Sequence, residues 1–238
     1  MTFSSDSRHS RRTRAALAAL AAALFIFPAM SAAAETTATA TAATTGPLRI
    51  QDWLMSEKVS RPRSASTNVD TVIIHFVSDV IENPDNPYNP ARVREIFSRY
   101  TVSAHYLIDR DGTIFRLVPE ERAAFHAGTG KLPHNPDRPG NMNDYSIGIE
   151  IMAVGSARDM AIYKGFDYGK FAKEHPELIG FTDAQYEALN ALLDDIIRRR
   201  PAIRRDARHI LGHDDVDPGR KTDPGELFDW SRIGVKRP

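Results

Sequence analysis

The chain has 238 residues, 31 lysines and arginines balanced by 31 aspartates and glutamates, and no cysteine. That balance gives no electrostatic case for a nucleic-acid partner. The missing thiols exclude a disulfide framework, a thiolate metal site, a cysteine nucleophile and lipid attachment at a leader cysteine.

The first residues read as an export leader. A basic stretch (Arg8, Arg11, Arg12, Arg14) precedes an apolar run from Ala15 to Phe27, a break at Pro28 and small residues ending "AAAE". This is the order of a secretory signal. Cleavage is expected after Ala34, which makes residues 1–34 a signal peptide and places the mature chain in the periplasm or outside the cell. The apolar run is Ala-rich and interrupted by Pro28, a poor match to the ~20 apolar residues of a retained span. Arg11-Arg12 leaves the export route open between the general and twin-arginine pathways. Residues 35–46, "ETTATATAATTG", are low-complexity and read as a linker, so the folded domain is assigned to 47–238.

Within that domain, "VDTVIIHFV" (69–77) is a β-branched apolar run that suits a strand buried on both faces. Asn89 and Pro90 predict a helix over 90–100, as N-cap and first helical residue. "HYLIDRDGTIFRLV" (105–118) reads as a hairpin around Asp111-Gly112, and "SIGIEI" (146–151) as a second buried strand. The segment 152–180 gives no clear pattern. Thr182 and Gln185 form a capping box for a long helix with Tyr186, Leu189, Leu193, Ile196 and Ile197 on one face, stopped by Pro201. The basic run 198–205 at its end reads as a solvated helix terminus. "HILG" (209–212) is a short last strand. Alternation of strands and helices predicts an α/β fold with a mixed sheet.

Polar residues that interrupt buried strands carry the chemical information, because an unpartnered buried charge or imidazole costs several kcal/mol, about 2–7 for a neutral polar group. His75 ends the first strand, Glu150 sits within "SIGIE", and His213 closes the last strand. His75 and His213 with the Asp223 carboxylate would give three nitrogen and oxygen ligands and leave a fourth position open, the makeup of a catalytic zinc site. Each histidine taken singly also fits a hydrogen-bonded core imidazole, as His105 does. "AGTGKL" (127–132) lacks the leading glycine and trailing hydroxyl of a phosphate loop, and no serine nucleophile elbow is present.

The motifs "VIIHFVS", "VSAHYLIDRDGTIFRLVPEERAAFHAG", "NDYSIGIE", "FTDAQY" and "GHDDVDPGRKTDPGELFDW" resemble, in order, those of the zinc-dependent N-acetylmuramoyl-L-alanine amidases. This class also contains anhydromuropeptide amidases and peptidoglycan recognition proteins. The resemblance implies a single α/β domain, a mixed central β-sheet flanked by helices with one zinc ion per chain in a surface groove. It implies His75, His213 and Asp223 as ligands, Glu150 as the catalytic carboxylate and Lys221 as its cationic partner. His126 in "FHAG" is expected to line the substrate groove, although Phe125 stands where a tryptophan is common; Asn143 is a candidate either to orient the strand that carries Glu150 or to contact substrate, and Arg220 is a candidate contact for a substrate carboxylate. The implied reaction is hydrolysis of the amide between N-acetylmuramic acid and L-alanine in peptidoglycan or muropeptides, for wall turnover or recycling. A noncatalytic peptidoglycan-recognition module is the alternative; such relatives usually lack a zinc ligand, and this chain has all three. Substrate form and oligomeric state are left open by the sequence, and 152–180 is longer than the connection usual at that place.

Overall fold

A β-branched heptapeptide, Thr71–Val77, forms an interior strand of the sheet, with six of its seven side chains buried. The computed structural model describes residues 48–64 and 66–237; the expected leader and linker lie outside them. In chain order the strands are β1 (Ile50–Asp52), β2 (Ser60–Pro62), β3 (Thr71–Val77), β4 (Tyr106–Ile108), β5 (Ile114–Arg116), β6 (Arg122–Ala124), β7 (Ser146–Met152) and β8 (Ile210–Gly212). Six of them form one sheet in the order β1-β5-β4-β7-β3-β8, and β2 pairs with β6 separately. Only the β4–β5 hairpin is antiparallel within the large sheet, so the sheet is mixed. Gly112 supplies the positive φ of 85° at the hairpin turn.

The helices are α1 (Pro90–Tyr100), α2 (Met142–Tyr145), α3 (Ala157–Met160), α4 (Tyr168–Glu174), α5 (Asp183–Arg199) and α6 (His213–Val216). α1 starts as its sequence predicts, with the Asn89 side chain accepting from the Ala91 and Arg92 amides. α5 carries the expected Thr182/Gln185 capping box. Leu189, Leu192, Leu193 and Ile196 pack it on Val72, Ile74, Ile147, Ile149 and Ile151, one face of the sheet. On the other face, Val93 and Phe97 of α1 cover Leu107, Leu117 and Met152. Burying each such side chain contributes about 1.5–3 kcal/mol, which is how a chain without disulfides holds its core. Strand alternation then fixes the site. Ile74 and Ile149 face α5, so His75 and Glu150, paired in register, face the opposite side near the carboxyl ends of parallel strands, the usual ligand crevice of such sheets.

Two stretches differ from their sequence reading. Residues 152–180 form α3, α4 and a 3₁₀ turn at Pro176–Leu178, held by Met160 and Phe171 against Phe76, Val80 and Val154, with Phe166 and Tyr168 packed partly onto them. The basic run after α5 is more than a solvated end: Arg199 and Arg200 both reach Glu120, which is 4% exposed. Glu120 also accepts from the Tyr106 hydroxyl at 2.7 Å. Sequence gave no sign of this because the carboxylate lies in a loop far along the chain from both arginines.

Candidate metal centre and active site

β3 brings His75 to the site, and the end of β8 brings His213, which opens the single turn of α6 and so lies just beyond the strand. The following loop turns back so that Asp223 meets both. Its Oδ2 lies 2.7 Å from His75 Nδ1 and 3.0 Å from His213 Nδ1. One ligand atom from each of the three lies within 4.8 Å of the other two. Both histidines are buried, at 1% and 3% exposure.

Electrostatics follow from that convergence. Burial alone would raise the Asp223 carboxyl, but the close approach of the His213 and His75 imidazoles outweighs it and holds the group far below the usual carboxylate range. Burial and the neighbouring His213 lower His75 to about 4, so it presents a neutral imidazole lone pair at neutral pH, as a metal ligand must. Glu150 is pushed well above its ordinary value by burial and then by Asp223, with Lys221 opposing. Its Oε2 is shielded from solvent and has no hydrogen-bond partner; His213 Nε2 and Asp214 Oδ1 share that condition. Such orphaned buried polar atoms are rare in folded proteins and cluster at functional sites.

The donor set fits a metal ion. Two imidazole nitrogens and one carboxylate oxygen, all within 4.8 Å of one another, match the ligand chemistry of a three-ligand site with an open position. Lys221 lies within electrostatic reach of Glu150 and His75 and lines an open cleft with Asp214, Thr222 and Arg158.

The three candidate substrate contacts stand in different surroundings. His126 stacks edge-on behind His75, with ring centroids 5.3 Å apart and Nδ1 3.1 Å from His75 Nε2. Asn143 is buried, and its side-chain oxygen accepts from the amides of His126, Ala127 and Gly128 at 3.1, 2.7 and 3.1 Å. Arg220 is tied to Asp217 on the surface. His105 is fully buried as expected; its Nδ1 accepts from the Gly148 amide at 2.9 Å, and its Nε2 lies 3.0 Å from the Arg122 carbonyl and 2.9 Å from the Arg63 guanidinium. Asp215 and Asp217 serve locally, Asp215 capping Gly212 and pairing with Arg237 and Asp217 holding Arg220.

Sequence reasoning passed over Ser146 and Gly148. Ser146 Oγ lies 3.2 Å from His126 Nε2 and donates to the Met142 carbonyl at 2.6 Å. A Cβ on Gly148 would sit 2.5 Å from His126 Cγ, and a glycine inside a buried strand is itself a sign of such close approach. Tyr163, from the 152–180 segment, is 42% exposed. Its hydroxyl is pushed up to about 12 by burial and by the carboxylates of Asp223 and Glu150.

The family model described as N-acetylmuramoyl-L-alanine amidase matches residues 65–226. The chain is 38% identical over 132 residues to the 1,6-anhydro-N-acetylmuramyl-L-alanine amidase AmpD of Citrobacter freundii, covering 56% of this chain and 55% of that protein. It thus spans little more than half of that relative's length. Its fold is similar to a selenomethionine derivative of AmpD, with a TM-score of 0.55 and 29% identity over 77% of this chain and 93% of that one. AmpDh3 from Pseudomonas aeruginosa, solved in complex with anhydromuramic pentapeptide, gives 0.52 and 27% over 72% and 61%. With more than half of its residues under that model, and the same mixed sheet behind its histidines, the chain belongs to the N-acetylmuramoyl-L-alanine amidase family.

Proposed function

We propose that this chain is an exported zinc amidase that cleaves the bond between N-acetylmuramic acid and L-alanine in muropeptides or peptidoglycan. The observation that carries the reading is the convergence of His75, His213 and Asp223 beside an orphaned Glu150 carboxylate. The names of AmpD and the muropeptide bound to AmpDh3 support the substrate class. The leader of residues 1–34 supports a periplasmic or extracellular location.

When bound, zinc supplies Lewis acidity, lowering the pKa of water from about 15.7 to about 7 and polarising a carbonyl. His75, His213 and Asp223 would hold it. Glu150 takes the proton of the attacking water on its free oxygen and returns it to the leaving amine. A carboxyl raised well above its ordinary value by burial suits both transfers. Lys221 places an ammonium where negative charge grows on the scissile carbonyl oxygen.

A cavity of about 360 Å³ is walled by Phe76, Ile81, Tyr100, Met160 and Tyr163 and has no lysine or arginine in its lining, and its aromatic wall suits a neutral saccharide. A separate cleft of about 460 Å³ mixes Lys221 and Arg158 with Asp159, Asp214 and Glu226. Tyr163→Ala is therefore expected to raise KM for muropeptide several-fold with little change in kcat, the signature of lost uniform binding. Steady-state kinetics on a soluble muropeptide would check it; an equal fall in kcat at constant KM would exclude this role.

Product analysis by mass spectrometry tests the whole reading. The chain should release free stem peptide from muropeptide or purified peptidoglycan, lose the activity on chelation and regain it with zinc. Binding of zinc and muropeptide without cleavage would instead establish the recognition module.

A further inference from the structure

Counting protons behind His75 leads to one more assignment, which rests on the metal-centre reading above. The Met142 carbonyl has no proton to give, so the single Ser146 hydroxyl proton lies on the 2.6 Å bond to it. Ser146 Oγ can then only accept across the 3.2 Å to His126, which puts the His126 proton on Nε2. A neutral imidazole carries one N–H, so His126 Nδ1 is an acceptor. The 3.1 Å contact to His75 therefore needs the His75 proton on Nε2. That leaves a bare lone pair on His75 Nδ1, facing the Asp223 carboxylate at 2.7 Å. Two acceptors face each other there, and a cation between them resolves the contact.

We propose that His126 is a positioning residue that fixes His75 in the tautomer with Nδ1 free for the metal, and that Ser146 locks the chain at its far end. The surroundings allow His126 one seat. Asn143 pins its backbone through three amides, and Gly148 leaves no room behind the ring for even a methyl group. Histidine ligands generally hand their second N–H to a carboxylate, carbonyl or water; here another imidazole takes it, and its own acceptor is a hydroxyl already committed to a carbonyl.

The test is the zinc affinity of the full chain, stripped by chelation and titrated at neutral pH against a chromophoric chelator. His126→Phe keeps a ring without the hydrogen bonds and should weaken zinc binding by about 10–100-fold. His126→Gln offers a carbonyl to His75 and an N–H to Ser146 and should stay within a few-fold of the parent. Ser146→Ala should weaken binding by less than His126→Phe and, in ¹⁵N spectra of the zinc-free protein, mix the His75 tautomers that the parent holds as Nε2–H. Unchanged affinity in His126→Phe, or equal losses in His126→Phe and His126→Gln, would overturn the assignment. Thermal melts of the zinc-free variants show which are folded; if His126→Phe is not, unchanged affinity and tautomer in Ser146→Ala overturn it instead. Affinity is read without amide cleavage, so a chain that binds zinc but cleaves nothing sinks the proposed function and leaves this inference standing.

Discussion

Glu150→Gln is expected to lower kcat for stem-peptide release by about 10²–10⁴-fold, the range for loss of a positioned general acid–base group. The side chain is nearly isosteric and is not among the three converging ligands, so zinc content should remain one per chain by metal analysis. A variant that keeps zinc and more than a tenth of parental kcat would remove Glu150 from the mechanism. The same substitution should have the opposite effect on stability. The Glu150 carboxyl is raised in the fold by burial and by Asp223, so the folded state disfavours its ionised form. Stability is lost as pH climbs above the unfolded value of about 4.3. Glutamine carries no such cost, and zinc-free Glu150→Gln should melt higher than the zinc-free parent at neutral pH, with the difference vanishing near pH 4. The active-site carboxylate is thus held at the expense of stability.

Glu120→Ala is expected to produce a large loss of stability, about 3–5 kcal/mol, measured by urea unfolding. Its two oxygens accept from Tyr106 and Arg199 on one side and Arg199 and Arg200 on the other, at 2.6–2.9 Å. Removing them leaves the Tyr106 hydroxyl and two arginines without their shared acceptor. Arg199 and Arg200 retain 34% and 25% side-chain exposure, so they can reach water and the loss should fall toward the lower end. Burial pushes the carboxyl up, yet the bonds from Arg199, Tyr106 and Arg200 bring it down to about 2. A depressed carboxyl contributes stability above its unfolded pKa and loses it as pH falls through the folded one. Acid titration of the parent should therefore show an increment disappearing between about pH 4.5 and pH 2 that is absent from Glu120→Ala. A parent and variant with superimposable acid limbs would show that this cluster contributes nothing.

Elements with a local cause were legible in the sequence. Asn89-Pro90 and Thr182/Gln185 mark helix starts through short-range hydrogen bonds, and both helices begin there. The β-branched runs at 71–77 and 146–151 could only be buried strands, and β3 and β7 are neighbours in register. His75, Glu150 and His213 were visible because polar groups in buried strands need partners. What escaped depends on contacts between distant segments. Asn143 and His126 read as groove residues, yet their polar atoms are spent on amides and on His75, and nothing nearby in sequence shows which way those side chains turn. Arg199 and Arg200 looked solvated because Glu120 is 79 and 80 residues away. Tyr163 could not be told from its packed neighbours Phe166 and Tyr168 by composition alone.

His75 and Asp223, 148 residues apart along the chain, share one point in space. An ion held there with His213 is also a clasp between the first core strand and the C-terminal loop. Closing so long a span in the unfolded chain has an entropic cost that grows with the logarithm of its length, and ligand binding to the folded form alone adds RT ln(1 + [L]/Kd) to stability. In a chain without a cysteine, a metal ion bound there would therefore fill the place of a cross-link. Loss of the ion would loosen the loop carrying Lys221 and Asp223 first, so that an enzyme stripped of metal becomes a substrate for proteolysis.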